Sequence, residues 1–236
     1  MIITALDFGS DKEALAFVDT IDPSLTRLKV GKELFTTAGP SFVEQLQRKG
    51  FDVFLDLKFH DIPNTVAGAL SAAVRLGVWM VNVHASGGPR MLEAARRAVP
   101  VADGTAGTRL IAVTVLTSMD NAELASVGVA RSANEQVEAL TKLAVEQGID
   151  GVVCSPREVS RIRTMTPNSF LTVTPGVRPA NAGVANDDQR RTMSPADAVK
   201  AGSSYLVIGR PITQASNPLD VLRLLNQDVG SAAQSS

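Results

Sequence analysis

The sequence has few cysteines and histidines, and this scarcity excludes several kinds of site. One cysteine and two histidines occur among 236 residues. With a single cysteine, Cys154, no disulfide can form within the chain, which fits a reducing compartment. The same residues are too few for a familiar structural zinc site, although magnesium held by carboxylates stays open. We interpret Cys154 as a small buried residue on a strand rather than as a catalytic thiol.

Aromatic residues, excess charge and long apolar runs are scarce as well. Aromatic residues make up 4% of the chain and the formal net charge is -1, so the sequence predicts neither a base-stacking surface nor a basic stripe for nucleic acid. No apolar run approaches the roughly 20 residues of a membrane-spanning helix. The first residues, MIITALDFGS, enter a strand-like run at once and lack a signal-peptide pattern. We therefore expect a cytoplasmic protein that binds neither nucleic acid nor a membrane.

The sequence contains a regular alternation of short β-type runs and longer helical segments. The strand candidates read IITALD, TRLKVG, DVFLDLKF, WMVNVHA, RLIAVTVL, GVVCS, FLTVTPG and YLVIGR. Eight strands alternating with helices over residues 1–228 predict a single-domain α/β protein, a (β/α)8 TIM barrel. A doubly wound open sheet is less consistent, because no G-x-G-x-x-G follows the first strand candidate. The segment 229–236 is expected to be a disordered tail.

The third strand candidate runs into a charged segment, DLKFHDIPNT. Side chains alternate across a strand, so its apolar face suits packing on helices, whereas Asp56 and Lys58 point toward the barrel mouth. Active sites of such barrels lie at this end of the strands. Because carboxylates such as Asp56 and Asp61 favour the ammonium form of a neighbouring lysine, the segment predicts a charged proton donor, Lys58. A structural ion-pair network is the alternative interpretation.

Polar residues also fall at the predicted ends of other strands. They are Asp7, Lys29, His84, Thr117, Ser118, Gly209 and Arg210. The segments VTPGVRP and VIGRP follow the seventh and eighth strands, the usual phosphate site of such barrels, where backbone N–H groups meet the anion. Arg210 adds a guanidinium that suits phosphate oxygens. Two glycine turns and a surface arginine are the alternative.

The segment between these two motifs, from Arg178 to Arg191, is polar and long for a connection between a strand and a helix. We expect it to be a mobile lid that closes over the site through Gln189. A disordered surface loop is the alternative.

Together the motifs resemble one protein family. The segments DLKFHDIPNT, RLKVGKELF, NVHASGG, VTVLTSM, VTPGVRP with DQRR, and VIGRP occur in family order between about Ile2 and about Leu225. They resemble the orotidine 5′-monophosphate decarboxylase family in its bacterial form. The D-x-K-x-x-D core alone is shared with sugar-phosphate lyases on the same barrel. The resemblance implies cofactor-independent decarboxylation of orotidine 5′-monophosphate to uridine 5′-monophosphate (UMP), the last step of de novo UMP synthesis.

The resemblance also implies roles for individual residues. Lys58 would stabilise and then protonate a carbanion at C6, within an array that contains Asp56 and Asp61, and Lys29 would join this charged network. The implied substrate contacts are Asp7, Lys29, Thr65, Thr117, Ser118, Arg178, Gln189, Gly209 and Arg210. The working unit would be a homodimer in which Asp61 and Thr65 reach the neighbouring subunit's site. No metal or cofactor is implied.

Two other functions stay open at this point. A magnesium-dependent sugar-phosphate decarboxylase or epimerase would use the same core and would lose its activity on chelation. A catalytically silent nucleotide-binding module would bind UMP without turning over a substrate. We interpret His60 and His84 as hydrogen-bonded structural residues near the site rather than as catalysts.

Overall fold

The computed structural model describes residues 1–101, 107–178 and 193–234. In this part of the chain, eight parallel strands pair in chain order and the last pairs with the first, which closes the barrel. The strands are β1 (Ile2–Leu6), β2 (Arg27–Gly31), β3 (Val53–Phe59), β4 (Met80–His84), β5 (Arg109–Val113), β6 (Gly151–Val153), β7 (Leu171–Thr174) and β8 (Tyr205–Ile208). The predicted (β/α)8 TIM barrel is confirmed.

Helices follow the strands along the chain. They are α1 (Asp11–Val18), α2 (Lys32–Arg48), α3 (Pro63–Arg75), α4 (Pro89–Ala98), α5 (Asn121–Ser126), α6 (Ala133–Glu146), α7 (Val159–Arg163), α8 (Pro195–Lys200), α9 (Arg210–Thr213) and α10 (Pro218–Gln234). Several begin at a residue whose side chain accepts a backbone N–H of the first turn, which satisfies one of the donors left free there. These N-cap residues include Ser10, Asp120, Ser132 and Ser194.

Buried apolar residues form two layers around the strands. The inner layer fills the barrel and comprises Ile3, Ala5, Phe54, Trp79, Met80, Ile111, Val173 and Val207. The outer layer lies between the strands and the helices and includes Leu28, Leu55 and Val81. Because side chains alternate across each strand, inward positions beyond the inner layer face the C-terminal mouth of the barrel. Asp56 and Asn82 occupy two such positions and are buried.

The last helix corrects the expected domain boundary. Helix α10 extends to Gln234, because Val229 and Ala232 continue the buried stripe that Leu222 and Leu225 begin. The structure therefore contradicts the disorder expected for the tail at 229–236 as far as residue 234, and the last two residues lie outside the described ranges.

None of the described helices is both long enough and apolar enough to span a membrane.

Candidate active site

A cavity of about 640 Å³ opens at the C-terminal ends of the strands. This volume lies within the range of pockets that hold small-molecule ligands. Sequence-predicted residues supply much of its polar lining: Asp7, Lys29, Asp56, Lys58, Thr117, Ser118, Arg178, Gly209 and Arg210. Apolar side chains such as Phe54 and Val207 complete the wall. The barrel therefore brings residues from distant parts of the sequence to one concave site.

A chain of alternating charges crosses the floor of this cavity. Nζ of Lys29 lies 3.2 Å from Oδ1 of Asp7 and 3.4 Å from Oδ2 of Asp56. Nζ of Lys58 lies 2.5 Å from Oδ1 of Asp56. The two oxygens of Asp56 thus each contact a different ammonium group, and this carboxylate links the two lysines.

Because these charged side chains are buried, the ionisation of each one depends on its neighbours. Burial alone raises the pKa of Asp56, but the neighbouring charges of Lys29 and Lys58 outweigh it and hold that pKa below its usual value. Burial alone lowers the pKa of Lys29, but Asp56 and Asp7 outweigh it and raise that pKa. Asp56 and Lys29 are therefore both ionised near neutral pH.

The end of β3 departs from regular strand geometry at Lys58. Among the residues that the structure describes, Lys58 is the one non-glycine with a left-handed backbone, at φ 51°. The pairing of β3 with β4 shifts register between Leu55 and Phe59. Simple alternation along the strand therefore does not account for the direction of the Lys58 side chain, although the sequence placed it correctly at the cavity.

Asn82 on β4 is a site residue that the sequence analysis missed. Its side-chain amide donates a hydrogen bond to Oδ1 of Asp56 at 2.7 Å. Its side-chain carbonyl accepts a hydrogen bond from the backbone N–H of Lys58 at 2.8 Å. The available signal was a polar residue at the centre of the apolar strand run WMVNVHA, two positions after Met80 of the barrel interior.

The two glycine motifs after β7 and β8 meet at the same cavity. Gly176 and Arg178 of the first motif and Gly209 and Arg210 of the second all line it. The end of β8 lies near the Asp7 carboxylate, since a Cβ on Gly209 would lie in van der Waals contact with its Oδ2, at 3.4 Å.

Two of the predicted residues do not line the cavity in the described part of the chain, and a third lies outside that part. Asp61 and Thr65 are exposed and are not part of its lining there. Oδ1 of Asp61 accepts the backbone N–H of Ile62 at 2.6 Å. Gln189 and the rest of the expected lid, residues 179–192, lie outside the described residues. The roles expected for these residues stay predictions.

Burial shifts the pKa of two further groups near the site, His84 and Cys154. The rings of His60 and His84 lie 5.5 Å apart between centroids. Burial, together with the charges of His60, Lys32 and Lys58, lowers the pKa of His84 to about 4, so this ring is neutral near pH 7. Cys154 follows β6 and is buried, and burial raises the pKa of its thiol well above the usual value. The interpretation of Cys154 as an unreactive packing residue agrees with this environment.

Comparison with known proteins identifies the family. Residues 1–225 match the model described as the Orotidine 5'-phosphate decarboxylase / HUMPS family. The chain is 57% identical to orotidine 5'-phosphate decarboxylase of Tolumonas auensis, over 95% of this chain and 96% of the relative. It is also 57% identical to the Haemophilus influenzae protein of the same name, over 97% and 98%.

A solved structure agrees with the sequence comparison. The crystal structure of orotidine 5'-phosphate decarboxylase from Lactobacillus acidophilus superposes with a TM-score of 0.84 at 35% identity, covering 97% of this chain and 98% of that one. The matches cover nearly the whole chain, and the relatives named above are carboxy-lyases by name. The chain therefore belongs to the orotidine 5'-phosphate decarboxylase / HUMPS family.

Proposed function

We propose that this protein decarboxylates orotidine 5′-monophosphate to UMP without a metal or an organic cofactor. The observation that carries the proposal is the pair of ammonium groups, Lys29 and Lys58, held by one buried carboxylate, Asp56, at the floor of the cavity. Relatives at 57% identity that carry the name of this activity support the choice of substrate.

The reaction needs a fixed positive charge beside one carbon atom. When the bond between C6 and the carboxyl group breaks, CO2 leaves and the electron pair stays on C6 in the plane of the ring, where no π system can take it up. A preorganised ammonium group at that carbon stabilises the charge as it develops. Nζ of Lys58 then gives a proton to C6, and the neutral amine regains a proton from water.

Asp56 and Lys29 prepare Lys58 for this step. Asp56 fixes the direction of the Lys58 Nζ through a contact of 2.5 Å. Lys29 offsets the negative charge that would otherwise remain on the second Asp56 oxygen, and it connects to Asp7. In the proposed complex, Asp7 and Lys29 also bind the ribose hydroxyl groups.

The other lining residues orient the substrate. We assign the phosphate to Gly209, Arg210 and Arg178, because these residues belong to the two glycine motifs that line the cavity and two of them carry guanidinium groups. We assign the pyrimidine ring to the neighbouring pair Thr117 and Ser118. Binding energy from the phosphate, remote from C6, can then be used to close the site and exclude water in the transition state. Closure through Gln189 is part of this proposal.

A homodimer is proposed as the working unit. Asp61 and Thr65 are exposed just after β3, on the rim of the mouth. Both side chains are therefore accessible to a second copy of the chain. Each subunit would then lend Asp61 and Thr65 to its neighbour's site.

Mixing two inactive variants tests the shared site. Lys58→Ala and Asp61→Ala homodimers should each have little activity. After subunit exchange, mixed dimers contain one site with both residues intact, so about a quarter of wild-type activity should return. No recovery in mixtures that mass spectrometry shows to contain mixed dimers would place Asp61 in its own subunit's site or outside the reaction.

The proposed reaction is tested by the ultraviolet absorbance of orotidine 5′-monophosphate mixed with purified protein in excess EDTA. The orotate chromophore should be lost steadily, and chromatography should identify UMP as the product. A flat trace in EDTA, with turnover of a sugar phosphate once magnesium is added, would favour the lyases that share the D-x-K-x-x-D core.

The cytoplasm is the proposed compartment. The single cysteine is a buried free thiol, so the fold does not depend on an oxidising environment.

A further inference from the structure

We propose that Asn82 is a positioning residue for the decarboxylation, which holds the backbone of Lys58 and the carboxylate of Asp56 in one fixed arrangement. The inference rests on the proposed function, since it concerns the residue that aims the proton donor. Asn82 itself points into the β3–β4 junction and is not part of the cavity lining described above.

The Asn82 side chain contacts both the backbone of Lys58 and the carboxylate that holds the Lys58 ammonium group. The amide of Asn82 donates to Oδ1 of Asp56, and Nζ of Lys58 contacts this same oxygen. The carbonyl of Asn82 accepts the backbone N–H of Lys58. Asn82 is 0% exposed, so no water can replace either bond without a change in packing.

The backbone at Lys58 needs such a partner. Leu55 pairs with Val81 and Phe59 pairs with Val83, so β3 advances by four residues over a length in which β4 advances by two. A bulge of this kind leaves backbone groups without partners in the strand ladder. The carbonyl of Asn82 satisfies the N–H of Lys58 at this point, in a left-handed conformation that a lysine rarely adopts.

The same contact has a consequence for the charge. A donor amide on Oδ1 stabilises the ionised form of Asp56, and it contributes to the low pKa of that carboxyl after the charges of Lys29 and Lys58. Asn82 therefore acts on Lys58 by two routes, through the backbone of Lys58 and through the carboxylate that its ammonium group contacts. A misplacement of the reacting group by about 1 Å can lower a rate about a hundredfold.

The first test is the variant Asn82→Ala, assayed for orotidine 5′-monophosphate decarboxylation. We expect kcat to fall about a hundredfold, while KM and the affinity for UMP change little, because the phosphate and ribose contacts remain. The matched control is Asn226→Ala. Asn226 on α10, like Asn82, joins two points of the chain through its side chain: its amide donates to the backbone carbonyls of Leu25 and Leu222, and it is not part of the cavity lining. Its removal should leave kcat unchanged.

A second variant separates positioning from mere structural support. Asn82→Asp keeps the shape and the acceptor for Lys58, but at neutral pH it places a second carboxylate against Asp56. Two adjacent carboxylates raise one pKa, so lowering the pH protonates the pair and restores a donor between them. The kcat of this variant relative to wild type should therefore rise as the pH falls. The other titratable groups facing this point are Lys29, Lys58 and His84, which both proteins retain.

These experiments distinguish failure of the Asn82 positioning role from failure of the proposed decarboxylation. If the wild-type protein does not decarboxylate orotidine 5′-monophosphate, the proposed function fails. The positioning role is wrong if the wild type is active and the folded Asn82→Ala variant keeps the wild-type kcat, whether or not its KM rises. If Asn82→Ala does not fold, Asn82→Asp decides: a low kcat at neutral pH that recovers toward acid supports the role, and a pH-independent ratio to wild type contradicts it.

Discussion

At the N-terminal end of the barrel, two arginines lie over an aromatic ring, whereas at the C-terminal end two lysines surround a buried carboxylate beside a cavity. The guanidinium of Arg27 lies 4.5 Å from the ring centroid of Trp79, and Arg109 approaches the same ring at 5.5 Å. The Trp79 and Tyr205 rings pack edge to face at 5.0 Å. At this end the rings and the guanidinium groups pack directly against one another.

The opposite end keeps its charges next to open space. Lys29 and Lys58 both converge on Asp56, and the cavity of about 640 Å³ begins directly above them. Buried ion pairs contribute little net stability, because desolvation of the charges offsets their attraction. The same barrel therefore places cations against aromatic rings at one end and beside an open cavity at the other.

The largest effect should come from the carboxylate that links the two lysines. Asp56→Asn keeps the shape of the side chain but removes the charge that orients Lys58, and we expect kcat/KM to fall about a thousandfold. The matched control is Asp52→Asn, since Asp52 pairs with Arg27 at the N-terminal end, 3.1 Å away, and is half exposed. Steady-state kinetics should find the control close to wild type; equal losses in both variants would break the distinction between the two ends.

Trp79→Ala, at the N-terminal end of the barrel, should lower stability and leave activity unchanged. Removing this buried ring should lower the free energy of unfolding by about 3–5 kcal/mol, because the inner layer and the stacked guanidinium groups lose their partner. Urea denaturation measures that loss. The kcat of the folded variant should stay at the wild-type value, and a selective loss of kcat at unchanged stability would contradict the structural role.

Arg210→Ala tests whether Arg210 binds the phosphate group of the substrate at the mouth of the barrel. Loss of one charged hydrogen-bonding group should lower kcat/KM by about ten- to a hundredfold. Arg223→Ala is the control, because Arg223 is an exposed residue of α10 that pairs with Asp220. Kinetics with the two variants check the prediction, and an unchanged kcat/KM for Arg210→Ala would remove that residue from the phosphate site.

The smallest effect concerns pH and the histidine at the mouth. The pKa of His84 is lowered to about 4 in the folded protein, whereas an unfolded histidine titrates near 6.5. The unfolded state therefore binds the proton first, so stability is lost as the pH falls from about 6.5 toward 4. Because the ring is only half buried, we expect a loss of about 1 kcal/mol from this group. Urea denaturation between these pH values should show the loss in wild type and a smaller one in His84→Gln.

The sequence predicted the barrel and most of its mouth because both depend on local patterns. Alternating strand and helix runs fixed the fold class, and strand ends located Lys29, Asp56 and Lys58 at the site. The arrangement at Lys58 could not be read in the same way. Its left-handed backbone is held by Asn82 from another strand, and a contact between strands leaves no periodic signal at either position.

The C-terminal boundary was missed for a different reason. The composition of VGSAAQSS suggested disorder, but Val229 and Ala232 keep the helical spacing of α10 and are buried. In this segment the spacing of two apolar residues outweighed the small, polar residues between them.

The most direct measurement of the central claim is the decarboxylation of orotidine 5′-monophosphate by wild type and Lys58→Ala in excess EDTA, with UMP binding measured by calorimetry on both. Wild type should convert the substrate, and Lys58→Ala should fold and bind UMP but lose at least about ten-thousandfold in kcat. Substantial turnover by the folded variant would show that the proton donor at the mouth of the barrel is not Lys58.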